Sequence, residues 1–255
     1  MINDKLMTKL NNGDRAFGTF VKINSTAVIE MLGQKGFDFA IIDREHSVFS
    51  DTDVEKMIMA ADVWGLPVII RTPGNAAEHI LHALDSGASG IQVPDISSVS
   101  QIYKIIENAK YYPEGSRGLS FAQRAAGYGF QGGNEYIEKS NQNTVIAVHI
   151  ENREIAEKID EVCSIPQLDV VFVGPADLSQ SMGKPGKTDD PEVVALIENV
   201  FRVAIKNNKK VGIYVGTEEA IKKYADLGAT YFAWKSDVLL LNEGIRSSEN
   251  TFKKI

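Results

Sequence analysis

FAIIDREH, residues Phe39–His46, is an apolar run that stops in a cluster of ionisable groups. Three other stretches repeat the pattern: PVIIR (Pro67–Arg71), VIAVHIE (Val145–Glu151) and VVFVGPAD (Val170–Asp177). Short β-branched runs of this kind, set between helical stretches, read as parallel strands buried on both faces. Parallel sheets of this class bind ligands beyond the carboxyl ends of their strands. Asp43, Glu45, His46, Arg71, Glu151 and Asp177 are therefore expected to project from one edge into one pocket.

Read outward from these runs, the chain gives eight strands, at Phe17–Val21, Phe39–Asp43, Val68–Arg71, Ile91–Val93, Val145–Ile150, Val170–Val173, Val211–Val215 and Tyr231–Trp234. Helical spacing fills the intervals, at Ser25–Lys35, Thr52–Val63, Ala76–Ser86, Ser98–Lys110, Arg153–Val162, Pro191–Asn207 and Glu218–Leu227, with Asp237–Ile245 closing the chain. Gly36, Gly65, Gly87 and Gly228 fall just after helices, where a left-handed cap favours glycine. The alternation predicts an α/β protein whose single domain, residues 1–255, is a closed (β/α)8 TIM barrel. An open α/β sheet is the alternative. Tyr111–Asn143 interrupts the rhythm, and a long insertion rich in Gly, Arg and Tyr is expected to cover the pocket.

The totals narrow the partners. The 255 residues are 44% hydrophobic and 24% charged, which suits a folded globule, and a net charge of −7 argues against nucleic acid or an anionic membrane. A small-molecule substrate is left. The N-terminal stretch lacks a signal-peptide core and no run reaches the length of a membrane helix, so the protein is expected in the cytoplasm. Cys163 is the only cysteine, which excludes an internal disulfide and a zinc–thiolate centre and reads as core filling. The Asn24-Ser25-Thr26 sequon reads as a helix start rather than a glycosylation site. Gly127–Gly132 matches G-x-G-x-x-G, but no strand precedes it, as a dinucleotide-binding turn requires.

Glu151 and Asp177, each just past a strand, suit a hard divalent ion; both could instead cap the helices that follow. His46 lies three residues after Asp43, close enough for the carboxylate to hold one ring nitrogen and leave the other as a base. Arg71 offers a permanent fork of donors to a substrate carboxylate or an enolate oxygen, or else pairs with Glu45. The turn Gly174-Pro175-Ala176-Asp177 leads into a helix start whose amides can bind a carboxylate. His79 and His82 sit on an amphipathic helix and read as surface groups.

IIDREHS, VIIRTPGN, GIQVPDI, YYPEGSRGLS, HIENREI and VFVGPADLSQSMG together resemble the HpcH/HpaI family of class II, metal-dependent pyruvate aldolases. The resemblance runs from about Phe17 to Asp237, and GPADLS and D-x-E-H are its most specific blocks. It implies a (β/α)8 barrel assembled as a homohexamer, with the last helix exchanged between subunits. It also implies a divalent cation (Mg²⁺, Mn²⁺ or Co²⁺) on Glu151 and Asp177, and Arg71 on the pyruvate ketone or enolate oxygen. His46 oriented by Asp43 would move the proton, and the amides of Ala176 and Asp177, in the Gly174-Pro175 turn, would hold the pyruvate carboxylate. The implied reaction is reversible cleavage of a 4-hydroxy-2-oxo acid, such as a 2-keto-3-deoxy sugar acid or a hydroxy-oxo-dicarboxylate, to pyruvate and an aldehyde.

Two positions depart from the family pattern. His149 stands where Gln is usual beside metal and pyruvate, and can add a nitrogen ligand or alter the preferred metal. Lys235 stands after the eighth strand where small apolar residues are usual, and a lysine there suggests Schiff-base chemistry as an alternative mechanism. A non-catalytic keto-acid-binding barrel is the alternative outside enzymes.

Overall fold

Each of the eight apolar runs forms a strand. In the computed structural model, which describes residues 2–254, the strands are β1 (Ala16–Val21), β2 (Phe39–Asp43), β3 (Val68–Arg71), β4 (Gly90–Val93), β5 (Val145–Ile150), β6 (Val170–Val173), β7 (Lys210–Val215) and β8 (Tyr231–Ser236). All pairings are parallel and sequential, and β1 closes on β8. The fold is thus a single (β/α)8 barrel, and the open-sheet alternative falls. Met1 and Ile255, the outer bounds of the expected domain, lie outside the described residues.

Two apolar layers account for the closure. Side chains on the outer face of the strands, such as Ile42, Ile70, Val148 and Val173, pack beneath the surrounding helices. Inside, Phe39, Phe172 and Tyr231 fill the barrel between positions that must stay small. A Cβ on Gly18 would run into the Phe39 ring, and one on Gly212 would come within 2.9 Å of Tyr231. Helix ends are set as the sequence predicts: Gly65 and Gly228 adopt φ of 61° and 98°. Asp237 ties the seam, its carboxylate accepting the amides of Lys22 and Ile23 at 2.9 Å each.

Three features differ from expectation. A short helix, Lys5–Asn11, precedes β1 and inserts Leu6, Met7 and Leu10 into the barrel interior. The Arg153–Val162 helix breaks at Lys158 into Arg153–Glu157 and Ile159–Cys163. Most consequential, Tyr111–Asn143 does not cover the pocket. It follows a helix and precedes β5, so it lies on the face opposite the strand ends, and it carries a helix of its own, Gly133–Asn143. Arg117 holds Asp85 at 2.6 Å, and Arg124 holds Asp62 at 2.6 Å and the Ser86 carbonyl at 3.0 Å, all at helix C-termini on that face. Within it, Gly127 to Gly129 form a tight turn with positive φ that no strand precedes, so the turn lacks the setting of a dinucleotide-binding motif. Cys163 is buried, and burial pushes its thiol up to about 11.

Candidate active site

Strand register assembles the site. Asp43 pairs with Arg71 and Arg71 with Gln92 along adjacent strands, so an acid, a base and an amide stand side by side at one height. Arg71 fills this row with a two-pronged bond to Asp43, Nε to Oδ1 at 2.8 Å and Nη2 to Oδ2 at 2.7 Å, while Nη1 lies 2.8 Å from Glu45 Oε2. Its guanidinium rests 4.6 Å above the Phe20 ring. Lys22, from the end of β1, places Nζ 2.7 Å from Asp43 Oδ2. Burial alone would raise the fully buried Asp43 carboxyl, but Arg71 and Lys22 outweigh it and hold the group far below the usual carboxylate range. Burial drives Glu45 the other way, above its ordinary value, although Arg71 and His149 pull against the shift.

Above this row a cavity of about 260 Å³ opens at the carboxyl ends of the strands. That is space for a small acid. Arg71, His149, Glu151, Gly174, Pro175, Ala176 and Asp177 all line it, so the structure gathers these seven sequence-predicted residues round one space. Gly174 matters by what it lacks. A Cβ there would sit 3.4 Å from Glu151 Oε2 and 3.9 Å from Asp177 Oδ2, so glycine keeps the gap between the two carboxylates open. Gly174 caps the Pro175–Ser181 helix, whose first-turn amides, Ala176 and Asp177 included, have no partner within the helix.

Glu151 is well anchored. Its Oε1 accepts the Asp95 amide at 2.6 Å and its Oε2 lies 2.6 Å from His149 Nδ1. Burial pushes the Glu151 carboxyl up, but the His149 hydrogen bond, the Asp95 amide and Arg71 bring it net below its ordinary value. The other nitrogen of His149 lies 2.8 Å from Gln92 Nε2, so both ring nitrogens are engaged within the protein. The expectation that His149 adds a nitrogen ligand is therefore not met. Neither are Glu151 and Asp177 helix caps: Asn152 caps the helix after β5, and no side chain caps the helix after Gly174.

The expected Asp43–His46 dyad does not form. Asp43 Oδ1 accepts the backbone amides of Glu45 at 3.1 Å and His46 at 3.2 Å, which turns the His46 ring outward, 60% exposed and 3.9 Å from Glu45 Oε2. Asp43 is the floor beneath Arg71, and His46 stands outside the cavity lining. Lys235 is also placed elsewhere. A bulge in the β1–β8 pairing gives it φ of 51°, and its ammonium meets Glu243 Oε1 at 2.6 Å rather than the cavity.

Residues not singled out from sequence complete the site: Lys22, Phe20, Gln92, Asp95, Phe172, Tyr214 and Ser236. Lys22 carried the same signal as Arg71, a cation ending an apolar run. Gln92, a lone polar side chain inside GIQV, was the other visible cue.

A (β/α)8 barrel with a cavity at the carboxyl ends of its strands, lined by Lys22, Arg71, Glu151 and Asp177 among apolar side chains, has the layout of a barrel-class enzyme. Its family is set by comparison: residues 16–243 match the model of the HpcH/HpaI aldolase/citrate lyase family, and the chain belongs to that family. It is thereby a member of a family of lyases. It is 30% identical to 5-keto-4-deoxy-D-glucarate aldolase of Salmonella arizonae over 93% of this chain and 92% of that protein. It is 29% identical to the hydroxypyruvate/pyruvate aldolase of Paraburkholderia phytofirmans over 95% of each. Among solved structures, citrate synthase SbnG superposes with a TM-score of 0.89 at 29% identity, covering 98% of both chains.

Proposed function

We propose that this protein is a class II aldolase that cleaves a 4-hydroxy-2-oxo acid reversibly to pyruvate and an aldehyde, with a divalent cation (Mg²⁺, Mn²⁺ or Co²⁺) held by Glu151 and Asp177. The observation that carries the reading is the gap kept by Gly174 between those two carboxylates, facing Arg71 across one cavity. The donor set fits such an ion. Across the cavity and the row beneath it, Asp43, Glu45, Glu151 and Asp177 stand against Lys22 and Arg71 among the described residues, a deficit of two positive charges that a hard divalent ion with oxygen ligands makes good.

When bound, such an ion supplies an electrophile for the 2-oxo group and stabilises the charge of the pyruvate enolate. The chain's own groups do the rest. Arg71, immobilised by Asp43, Glu45 and the Phe20 ring, presents its donors where negative charge develops on the ketone oxygen, which is preorganised electrostatic stabilisation. The first-turn amides of Ala176 and Asp177, beside Gly174 and Pro175, orient the substrate carboxylate. His46, exposed outside the cavity lining and beside Glu45, takes the proton from the 4-hydroxyl through water. Small molecules are its partners, and we place it in the cytoplasm as a homo-oligomer, a hexamer in the pattern its family implies. Of the Asp237–Phe252 helix only Asp237 is buried, while Leu241, Ile245 and Phe252 are exposed, as a helix exchanged between subunits requires.

The test is cleavage of 4-hydroxy-2-oxo acids and the reverse condensation of pyruvate with a panel of aldehydes, with products read by mass. Metal-loaded protein is expected to turn over and EDTA-treated protein to stop. Equal rates in the two would refute the reading.

A further inference from the structure

Below Glu151 a file of side chains crosses the barrel interior from β8 to β5. Tyr231 Oη donates to Gln92 Oε1 at 3.0 Å, Gln92 Nε2 lies 2.8 Å from His149 Nε2, and His149 Nδ1 lies 2.6 Å from Glu151 Oε2. Tyr231 and Gln92 are fully buried and His149 is 2% exposed, so no solvent competes for these bonds. The His149 ring also stacks on Phe172, with centroids 4.9 Å apart and planes 28° from parallel, which fixes its plane.

Donor and acceptor roles propagate along the file. The Tyr231 hydroxyl, buried with Gln92 as its partner, gives its proton to the Gln92 carbonyl. The Gln92 amide group then faces His149 and donates, so Nε2 of the ring must accept. The ring proton is left on Nδ1, aimed at Glu151 Oε2. With the Gln92 amide reversed, both ring nitrogens would have to carry protons.

We propose that His149 is a positioning residue: Tyr231 and Gln92 lock its ring as the Nδ1–H tautomer, and that single donor fixes Glu151 so that its unshared lone pairs face the cavity. Asp95 N–H fixes the other oxygen, and the two bonds leave the carboxylate no freedom to turn away. The proposal rests on the reading of Glu151 as a cation ligand and extends it. An imidazole presents two nitrogens on opposite edges and spans Gln92 to Glu151, joining the ligand carboxylate to the far wall of the barrel. Groups that orient a ligand in this way commonly change metal affinity by about 10–100-fold when removed.

The experiment combines Mn²⁺ titration calorimetry with solid-state ¹⁵N NMR of histidine-labelled protein. The chain has four histidines, so the signals absent from His149→Asn assign the ring. The NMR is expected to show wild-type His149 protonated on Nδ1 alone. His149→Ala should weaken Mn²⁺ binding by roughly 10–100-fold. His149→Asn, whose amide nitrogen can occupy the place of Nδ1, should recover most of the loss. Tyr231→Phe frees the Gln92 amide and should broaden or split the ring signals; it also serves if His149→Ala fails to fold. A wild-type ring protonated on Nε2 or on both nitrogens overturns the proposal, as does a folded His149→Ala that binds Mn²⁺ like the wild type. Wild-type protein that binds no Mn²⁺ would refute the metal reading, and the tautomer would then decide the file by itself.

Discussion

Replacing Asp43 by asparagine removes the charge on which the floor of the site is built. The carboxylate is fully buried and accepts both prongs of Arg71, the ammonium of Lys22 and two backbone amides. Asparagine keeps the shape, but its NH₂ must face one of those donors, Lys22 loses its counter-charge and Arg71 is left with Glu45 alone. Removing one member of a buried ion pair costs about 3–5 kcal/mol. At about 2–4 °C per kcal/mol for a chain of this size, Asp43→Asn should melt roughly 6–20 °C below wild type at pH 7. The pH dependence separates charge from packing. Because Arg71 and Lys22 depress the folded-state value of Asp43 below its ordinary 3.8, its contribution is complete above that pH and is lost as pH falls through the folded-state value. The gap between variant and wild type should thus be constant from about pH 7 to pH 5 and narrow below about pH 4. Differential scanning calorimetry or thermal circular dichroism at pH 7, 5 and 3.5 reads it. A gap under about 2 °C at pH 7 would mean the pair contributes less than about 1 kcal/mol and would refute the reasoning.

Gly174→Ala tests the cation cradle with little threat to the fold. Its added Cβ meets Glu151 at 3.4 Å, an ordinary contact, so the melting temperature should hold within a few degrees while Mn²⁺ affinity falls about tenfold or more by calorimetry. Unchanged affinity would place the ion elsewhere. The double variant Leu241→Glu, Ile245→Glu puts charges on the exposed face of the last helix. Size-exclusion chromatography with light scattering should show smaller species than wild type, and an unchanged mass would refute exchange through this helix.

Strands were legible because a strand buried on both faces needs a continuous apolar run, and FAIID, VIIR and VIAVHI are that and little else. The charges that end them share a pocket because parallel strands all finish at the same rim. The same rule explains two misses. Lys22 ends β1 as Arg71 ends β3, and only a weaker apolar run, interrupted by Gly18 and Thr19, hid it. Tyr111–Asn143 has the composition of a functional loop, yet it follows a helix, and a segment that follows a helix in a barrel emerges on the face away from the strand ends. Length and composition mark a segment as unusual; the element before it decides which face it serves. The Lys5–Asn11 helix, under two turns long at about 3.6 residues each, is too short for periodicity to show.

The Asp43–His46 pair shows where local spacing stops being informative. His46 is three positions after Asp43, which allows contact, but the carboxylate has a choice of partners that the run FAIIDREH does not contain. Register brings Arg71 alongside from β3 and Lys22 from the end of β1, the two strands that flank β2. Both are cationic side chains, and in a buried site their charge-assisted bonds outcompete a bond to an imidazole. The backbone then turns so that its amides at Glu45 and His46, rather than the imidazole, fill the last acceptor position on Asp43. His149 is the converse case. Its neighbours across the barrel are an amide and a carboxylate, groups that between them accept one ring proton and supply one donor, and so this histidine is the one the fold captures.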